Sequence, residues 1–252
     1  MKIQLYNDDC LNAMKNIPDK SVDLVLCDLP YGTTAQTWDT IIPMDKLWKE
    51  YKRIITDTGV IALFGDASIF MAKLISSNEK MYKYSWIWKK TYVSGGLFAK
   101  YQPLRNLESI SVFYKKTGQY FPQMGVGKPY TRKKDKTNYR NRNNIINSKL
   151  IQHSYDIIDK TERNPLLLLD DPKFSLANNN RLHPNQKPVP LLEYLIKTYT
   201  EEGMTVLDNC MGSGSTMVAC INTNRNGIGI ELDNDYFNIS KTRIEEAKND
   251  LQ

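Results

Sequence analysis

Four short and almost continuous apolar runs, each bounded by turn residues, constrain the fold of this chain more than any other feature of its sequence. They cover Val22–Asp28, Gly59–Gly65, Thr205–Asn209 and Gly227–Leu232. Runs of this kind are typical of strands that are buried on both faces of a parallel sheet. Helical patterns with one apolar face accompany them, over Met44–Thr56, Val189–Thr200 and Asp233–Asp250. The sequence therefore predicts an α/β fold with a doubly wound, mostly parallel sheet, and further strands at Trp86–Trp88 and Leu107–Tyr114.

The composition excludes several other classes of protein. The 252 residues are 41% hydrophobic and 25% charged, which is ordinary for a globular chain and argues against a coiled coil. No apolar stretch approaches the ~20 residues of a membrane span, and the first residues lack an apolar signal core, so we expect a cytoplasmic protein. The four cysteines form no CxxC pair and there are two histidines, which predicts reduced thiols and no metal site.

One segment departs from the alternating pattern. Between about residues 120 and 180 the apolar periodicity fails, and Lys128–Lys149 holds eight basic residues and one acidic residue in a chain of net charge +6. The segment is either a solvated, partly disordered insertion or an insertion that contacts phosphates. In the second interpretation the candidate nucleic-acid-binding residues are Arg132, Lys133, Lys134, Lys136, Arg140 and Arg142. We expect three parts: residues 1–119, the basic insertion over 120–180, and residues 181–252.

The third apolar run leads directly into a glycine turn, Cys-Met-Gly-Ser-Gly-Ser-Thr. Gly212 and Gly214 allow the backbone to turn sharply and to approach a ligand closely. Ser215 or Thr216 is predicted to cap the helix that follows. Asp208 stands where the strand ends, at the carboxyl edge where open α/β sheets bind their ligands. The order of strand, acid, glycine turn and helix therefore predicts a cofactor-binding loop.

Residues around this loop narrow the choice of cofactor. The next apolar run brings Glu231 to a strand end, from which a carboxylate can accept both hydroxyls of a ribose. The dinucleotide fingerprint fails at Met217, and no lysine follows Gly214 as a P-loop requires. The loop also lacks a basic residue for a pyrophosphate, whereas Asp208 favours an ammonium group. An adenosine joined to an amino acid satisfies both acids, so S-adenosylmethionine is the expected cofactor.

A second corner follows the first apolar run, with the sequence Asp28-Leu-Pro-Tyr-Gly. Residues of this kind can simply close a strand with a turn. They can also form a pocket for a planar base that carries an exocyclic amine. Asp28 and the Leu29 carbonyl would accept the amine hydrogens, Pro30 would stiffen the loop and Tyr31 would stack on the ring. Acceptors outside the ring plane favour the nucleophilic form of the nitrogen and stabilise the positive charge that develops as a methyl group arrives.

Taken together, these motifs resemble the beta-arrangement amino DNA methyltransferases, in which the target-base half precedes the cofactor half. Four further segments are similar to that family: NDDCLNAM from Asn7 with DKSVD from Asp19, WIWKK from Trp86, NLESISVFY from Asn106 and HPNQKPVPLLE from His183. The whole resemblance covers about three quarters of the chain. The resemblance implies that Asp9 approaches the cofactor adenine and that Lys187 belongs to a segment over the methionine end. It also implies that the basic insertion is the target-recognition region.

The resemblance implies transfer of a methyl group to N6 of an adenine that is flipped out of double-stranded DNA. Asp28 resembles the adenine-N6 members, whereas the cytosine-N4 members more often have serine there, so cytosine-N4 methylation stays open as an alternative. Leu29 replaces the first of the two prolines usual in the family, which keeps the carbonyl acceptor but loses some rigidity. A nucleic-acid-binding protein that has kept the fold without activity is the alternative of another class. A homodimer and a separate cognate restriction endonuclease are possible partners.

Overall fold

The structure is a computed structural model that describes residues 1–32, 40–66, 69–127, 161–175 and 186–250. The chain forms two compact units: Met1–Phe121 together with Leu167–Gln252, and Pro122–Leu166. In the described part of the second unit, two short strands pair in antiparallel orientation, with Gly125 opposite Arg163. Residues 128–160, which include the predicted nucleic-acid-binding residues, lie outside the described residues. The boundaries expected for the basic insertion therefore stay a prediction.

Strands and helices alternate along the first unit. All strands of the described ranges are numbered in chain order, and β6 and β7 belong to the second unit. They are β1 (Ile3–Asn7), β2 (Val22–Cys27), β3 (Ile55–Gly65), β4 (Tyr82–Ser94), β5 (Arg105–Phe113), β6 (Gly125–Val126), β7 (Glu162–Arg163), β8 (Leu168–Leu169), β9 (Thr205–Asp208) and β10 (Asn226–Glu231). The helices are α1 (Cys10–Met14), α2 (Met44–Ile54), α3 (Ile69–Ser76), α4 (Val189–Tyr199), α5 (Ser215–Asn222) and α6 (Asn234–Asn249).

Eight strands of the described ranges form one sheet in the order β1-β10-β9-β2-β3-β5-β4-β8. Strands β1, β10, β9, β2 and β3 run parallel, and β5 is antiparallel to its neighbours β3 and β4. The predicted doubly wound, mostly parallel α/β sheet is confirmed. Strands β2 and β9 are adjacent, with Val25 opposite Leu207. Because both run in the same direction, the loops that follow them lie side by side at one edge of the sheet.

Strand β2 shows why its sequence is apolar throughout. Val25 and Cys27 pack into the core on the side of helices α1, α2 and α3, whereas Leu24 and Leu26 pack into the core on the side of α4, α5 and α6. Successive side chains of a strand point to opposite faces, so a strand that is covered on both faces needs apolar residues at every position. The sheet is thus the middle of three layers.

Several elements differ from the sequence-based expectation. Strand β4 extends from Tyr82 to Ser94 instead of covering Trp86–Trp88, because its residues alternate between buried and exposed and do not form a continuous apolar run. Strand β1 and the short helices α1 and α3 were not predicted, since short or half-buried segments leave weak periodic patterns. None of the helices in the described ranges has the length and apolar character needed to span a membrane.

Candidate active site

One cavity of about 370 Å³ lies at the carboxyl edge of the parallel strands. The residues predicted for the target base and those predicted for the cofactor line it together. Those in the lining are Asp9, Asp28, Leu29, Pro30, Lys187, Asp208, Gly212, Ser215 and Glu231, whereas the predicted residues Tyr31 and Gly214 are not part of it. The adjacency of β2 and β9 explains this meeting, because it brings the loop after Cys27 beside the loop after Asp208. The two predicted corners therefore share one site.

The charge of this cavity is strongly negative. Among its described lining residues, the five acidic ones are Asp8, Asp9, Asp28, Asp208 and Glu231, and the single basic one is Lys187. Apolar side chains such as Leu11, Ile42 and Phe64 form other parts of the wall. A cavity of this kind repels phosphate groups and attracts a cationic ligand with an apolar portion.

Asp28 is held by hydrogen bonds to both of its carboxylate oxygens. The Tyr31 hydroxyl donates to Oδ1 at 2.5 Å, and the Lys187 ammonium donates to Oδ2 at 2.5 Å. Burial raises the pKa of Asp28, and the two donors oppose this effect without cancelling it. For Lys187, burial lowers the pKa, but Asp28 and Glu108 outweigh it and the pKa is raised. The pair is thus an ammonium–carboxylate contact within a largely buried site.

Tyr31 has a different set of contacts from the stacking role predicted for it. Its ring packs against Phe70, with the centroids 4.8 Å apart and the planes inclined by 39°. Burial, and next the charge of Asp28, raise the pKa of Tyr31 well above its ordinary value, so its hydroxyl stays a donor. In this structure Tyr31 fixes the direction of the Asp28 carboxylate, and the stacking role stays a prediction.

The glycine turn is braced by Asp208 rather than by a helix cap. Gly214, with φ of +79°, is the N-cap of helix α5 and no side chain caps the helix. The Thr216 hydroxyl instead donates to Asp208 Oδ2 at 2.6 Å, and the Ser215 hydroxyl accepts from Arg243 at 3.1 Å. The prediction that Ser215 or Thr216 caps the helix is therefore wrong: both hydroxyls have partners elsewhere.

Asp208 is buried at the end of β9. Besides Thr216, the backbone N–H of Cys210 donates to its Oδ1 at 3.1 Å. Burial raises the pKa of Asp208 to about 6, because the two hydrogen bonds compensate only part of the lost hydration. The carboxylate lines the cavity with part of its surface and fixes the start of the glycine turn with its oxygens.

Glu231 connects the end of β10 to the same turn. Its Oε2 accepts from the Gly212 N–H and its Oε1 accepts from the Asp233 N–H, both at 2.8 Å. Burial raises the pKa of Glu231. Each carboxylate oxygen has two lone pairs, so one remains on each oxygen for a ligand hydroxyl. The geometry is compatible with the predicted ribose contact.

Asp9 occupies the N-cap of helix α1. Its Oδ1 accepts from the backbone N–H groups of Leu11 and Asn12 at 2.9 and 3.1 Å. This capping orients the carboxylate at the cavity wall, where Asp8 lies beside it. The contact to a cofactor adenine that the resemblance implies stays a prediction.

Sequence reasoning missed Glu108, a second carboxylate close to the Lys187 ammonium. Glu108 on β5 accepts from Lys90 at 2.9 Å, and its Oε2 lies 3.7 Å from the Lys187 ammonium. Burial raises the pKa of Glu108, but the two lysines outweigh it and lower the pKa overall. Glu108 lies in the NLESISVFY segment, and the resemblance of that segment to the family is the sequence feature that could have identified it. Its role depends on the register of β5 against β4, where Trp88 lies opposite Glu108.

Two other contacts were also missed. The Tyr51 hydroxyl of α2 donates to Asn209 Oδ1 at 2.6 Å, which ties the glycine turn to the opposite layer of helices. The Asn209 side-chain amide also donates to the Cys210 thiol at 3.5 Å, and all four cysteines are free thiols. No group of three or more His, Cys, Asp or Glu side chains that suits a metal ion occurs in the described ranges.

The sequence matches a protein family described as DNA methylase (N6_N4_Mtase) over residues 22–242. The chain belongs to this DNA methylase family. The resemblance to amino DNA methyltransferases noted in the sequence is thereby confirmed. The matched region contains both corners of the acidic cavity, whereas the first segment, around Asp9, precedes it.

Individual relatives agree with this assignment. The type II methyltransferase M.HpaI of Haemophilus parainfluenzae is 27% identical over 99% of this chain and 76% of its own length. The type II methyltransferase M.HinfI of Haemophilus influenzae is 26% identical over 98% of this chain and 70% of its own length.

Solved structures share the fold of this DNA methylase. The complex of M1.HpyAVI with S-adenosylmethionine has a TM-score of 0.61 at 22% identity and covers 96% of this chain and 99% of its own. The PvuII DNA methyltransferase, described as cytosine-N4-specific, has a TM-score of 0.67 at 16% identity and covers 99% and 92%. At these identities the likeness concerns the fold alone.

Proposed function

We propose that this chain transfers a methyl group from S-adenosylmethionine to the exocyclic N6 amine of adenine in double-stranded DNA. One observation carries the proposal: a single acidic cavity contains Asp28 and Leu29 on one side and Asp208, Gly212 and Glu231 on the other. A methyl group can pass directly between two ligands only if both bind in one continuous space.

The cavity fits the proposed cofactor. S-adenosylmethionine carries a sulfonium and an ammonium group, and the five carboxylates of the wall favour such a cation. Glu231 would accept hydrogen bonds from the ribose hydroxyls, Asp9 would lie at the adenine end and Asp208 would contribute negative charge near the methionine end. When bound, the cofactor supplies an electrophilic methyl group.

The residues of the Asp-Leu-Pro-Tyr corner prepare the amine for attack. The Asp28 carboxylate and the Leu29 carbonyl accept the two amine hydrogens, which withdraws the nitrogen lone pair from the ring. Tyr31 keeps the carboxylate fixed, so little reorganisation is needed as positive charge develops on the nitrogen. The buried setting of Asp28 strengthens this interaction.

The aspartate at the first position of the corner supports adenine over cytosine as the target. The family name covers both N6 and N4 methylation, so this choice rests on Asp28. The basic segment supports a role in DNA recognition, with Arg132, Lys133, Lys134, Lys136, Arg140 and Arg142 contacting phosphates. The type II names of the relatives support a separate restriction endonuclease as a partner.

The proposal is tested by expressing the chain in cells that lack DNA methylation and digesting their DNA to nucleosides. N6-methyladenine is expected by mass spectrometry, N4-methylcytosine would assign the other base, and modification-sensitive sequencing would identify the motif. The Asp28→Ala variant should give no methylated base while it still binds S-adenosylmethionine. The matched control is Asp57→Ala, which removes an exposed carboxylate paired with Lys20. No methylated base from the unmodified chain would refute the proposal and favour a non-catalytic DNA-binding protein.

A further inference from the structure

Glu108 is a largely buried carboxylate that the proposed reaction does not use. Its side chain is 16% exposed, and Oε1 accepts a hydrogen bond from the Lys90 ammonium at 2.9 Å. Its second oxygen, Oε2, is buried and has no hydrogen-bond partner. Buried acceptors are seldom left unsatisfied, and an exception calls for a physical reason.

The Lys187 ammonium lies within ion-pair distance of this oxygen. Its Nζ lies 3.7 Å from Glu108 Oε2 and 2.5 Å from Asp28 Oδ2. Lys187 therefore hydrogen-bonds one carboxylate while it lies within ion-pair distance of the other. A displacement of roughly 1 Å would bring the second contact into hydrogen-bond range.

The Lys187 ammonium and the incoming amine would use the same carboxylate oxygen of Asp28. Tyr31 already donates to Oδ1 and Lys187 to Oδ2, so both oxygens have a donor before any amine arrives. Lone pairs remain on both oxygens, but an ammonium 2.5 Å from Oδ2 competes with an amine hydrogen for that oxygen. It also withdraws electron density from the oxygen that would accept the amine hydrogen.

We propose that Glu108 provides a second binding position for the Lys187 ammonium, which moves from Asp28 to Glu108 when the target amine binds. This assignment rests on the proposed function and makes Glu108 a positioning residue that acts through Lys187. Lys90 holds Glu108 in place through Oε1, so that Oε2 stays directed at Lys187. The movement keeps the positive charge inside the site and leaves Asp28 Oδ2 available to the amine.

Two substitutions weaken the second binding position in different ways. Glu108→Gln removes the charge that attracts Lys187 in the second position. Glu108→Asp keeps the charge but shortens the side chain by one methylene, which moves the acceptor away. Both variants should lower kcat by about 10- to 100-fold, with the KM for cofactor and DNA changed by less than about 2-fold. Glu50→Gln is the control, because Glu50 is a similarly shielded carboxylate, 14% exposed, that pairs with Arg53 on helix α2.

A double-mutant cycle with Lys187→Met tests whether Glu108 acts through Lys187. The assignment predicts that Glu108→Gln costs little further activity once Lys187 is absent, whereas independent effects would multiply. Thermal unfolding and cofactor binding of each variant identify any that misfold. If Glu108→Gln misfolds, Glu108→Asp, which keeps the buried charge, is compared with wild type instead. Wild-type kcat in Glu108→Asp or multiplicative effects in the cycle would overturn the assignment alone. An unmodified chain that transfers no methyl group would refute the proposed function, and the assignment with it.

Discussion

Asp28 experiences opposing influences on its ionisation. Burial raises its pKa, while Lys187 and Tyr31 lower it by stabilising the carboxylate, and the net shift is upward. Other charges that face it are those of Glu108 and Asp208. Because only the ionised carboxylate can accept the amine hydrogen without donating, the balance of these groups sets the lower pH limit of activity.

The pH dependence of methyl transfer should reflect this balance. We expect kcat/KM to fall as the pH drops through the pKa of Asp28, which lies above the ordinary aspartate value of about 3.9. In Lys187→Met this acidic limb should move to higher pH, because the strongest stabiliser of the carboxylate is gone. A Lys20→Met variant, which removes an exposed lysine, serves as the control. An acidic limb that stays in place in Lys187→Met would contradict the expectation.

Asp208 should make stability depend on pH in an unusual direction. Its pKa is about 6 in the folded chain and about 3.9 when unfolded, so the folded state binds the proton more tightly. Stability due to this group is therefore present at low pH and is lost as the pH rises from about 4 to 6, by up to ~3 kcal/mol. In Asp208→Asn the amide oxygen can accept from the Cys210 N–H and the amide nitrogen can donate to the Thr216 hydroxyl, which reverses that bond. This variant should be more stable than wild type at pH 7 and lose the advantage near pH 4. Urea unfolding at both pH values measures the difference, and an advantage independent of pH would argue against a buried charge.

Glu231 should matter mainly for cofactor affinity. Truncation to alanine removes the acceptors of the Gly212 and Asp233 N–H groups as well as those offered to the ribose. We expect the Kd for S-adenosylmethionine to rise by about 10- to 100-fold, since hydrogen bonds to charged groups contribute about 1.5–3 kcal/mol each. Calorimetric titration gives the value directly. Glu202→Ala, near the start of β9, provides a comparison outside the cavity.

At the scale of single residues, the sequence was informative where a motif follows a buried strand. Asp28 and Asp208 could be placed at the same sheet edge because apolar runs end directly before them. The contact between Lys187 and Asp28 could not be predicted, because 159 residues separate the two positions in the chain. It depends on the path of the backbone before α4, which no local pattern encodes.

Among the secondary-structure elements, the glycine turn and the helices around it are the most tightly constrained. Gly214 has φ of +79°, and a Cβ there would lie 2.9 Å from the Ser240 Cβ on helix α6. The four apolar runs predicted the strands around this turn well, since complete burial requires uninterrupted apolar residues. Strands at or near the sheet edge were underestimated, because burial on one face leaves a mixed sequence.

A matched pair of glycine substitutions separates backbone strain from crowding. Gly203 has φ of +80° and open space where a Cβ would lie, so Gly203→Ala should cost only about 1 kcal/mol. Gly214→Ala adds the clash with Ser240 and should cost about 2–4 kcal/mol. Denaturant unfolding of both variants provides the comparison. Equal losses would show that helix α6 adjusts freely to the additional carbon atom.

On the scale of the whole molecule, positive charge is concentrated in a segment outside the described residues. Residues 128–149 carry a net charge of +7, so the remainder of the chain is nearly neutral. Replacing the six proposed phosphate contacts by glutamine should weaken DNA binding and reduce the slope of log K against log salt by up to about 5. Cofactor binding should stay unchanged. Replacing Lys241 and Lys248 of helix α6 is the control, and an unchanged salt slope in the sixfold variant would exclude the segment from DNA binding.

The order of strands in the sheet also affects how the chain can be synthesised. Strand β1 pairs with β10, so Ile3 can meet its partner Gly227 only after all the residues between them have been synthesised. Until then a nascent chain exposes the open edge of β1 and lacks Glu231, although it already contains Asp28. A ribosome-bound fragment therefore cannot assemble the complete cavity, and premature termination before Asn226 would yield an inactive product that chaperones or proteases must remove. The cavity is complete only once β10 and Glu231 have joined the sheet.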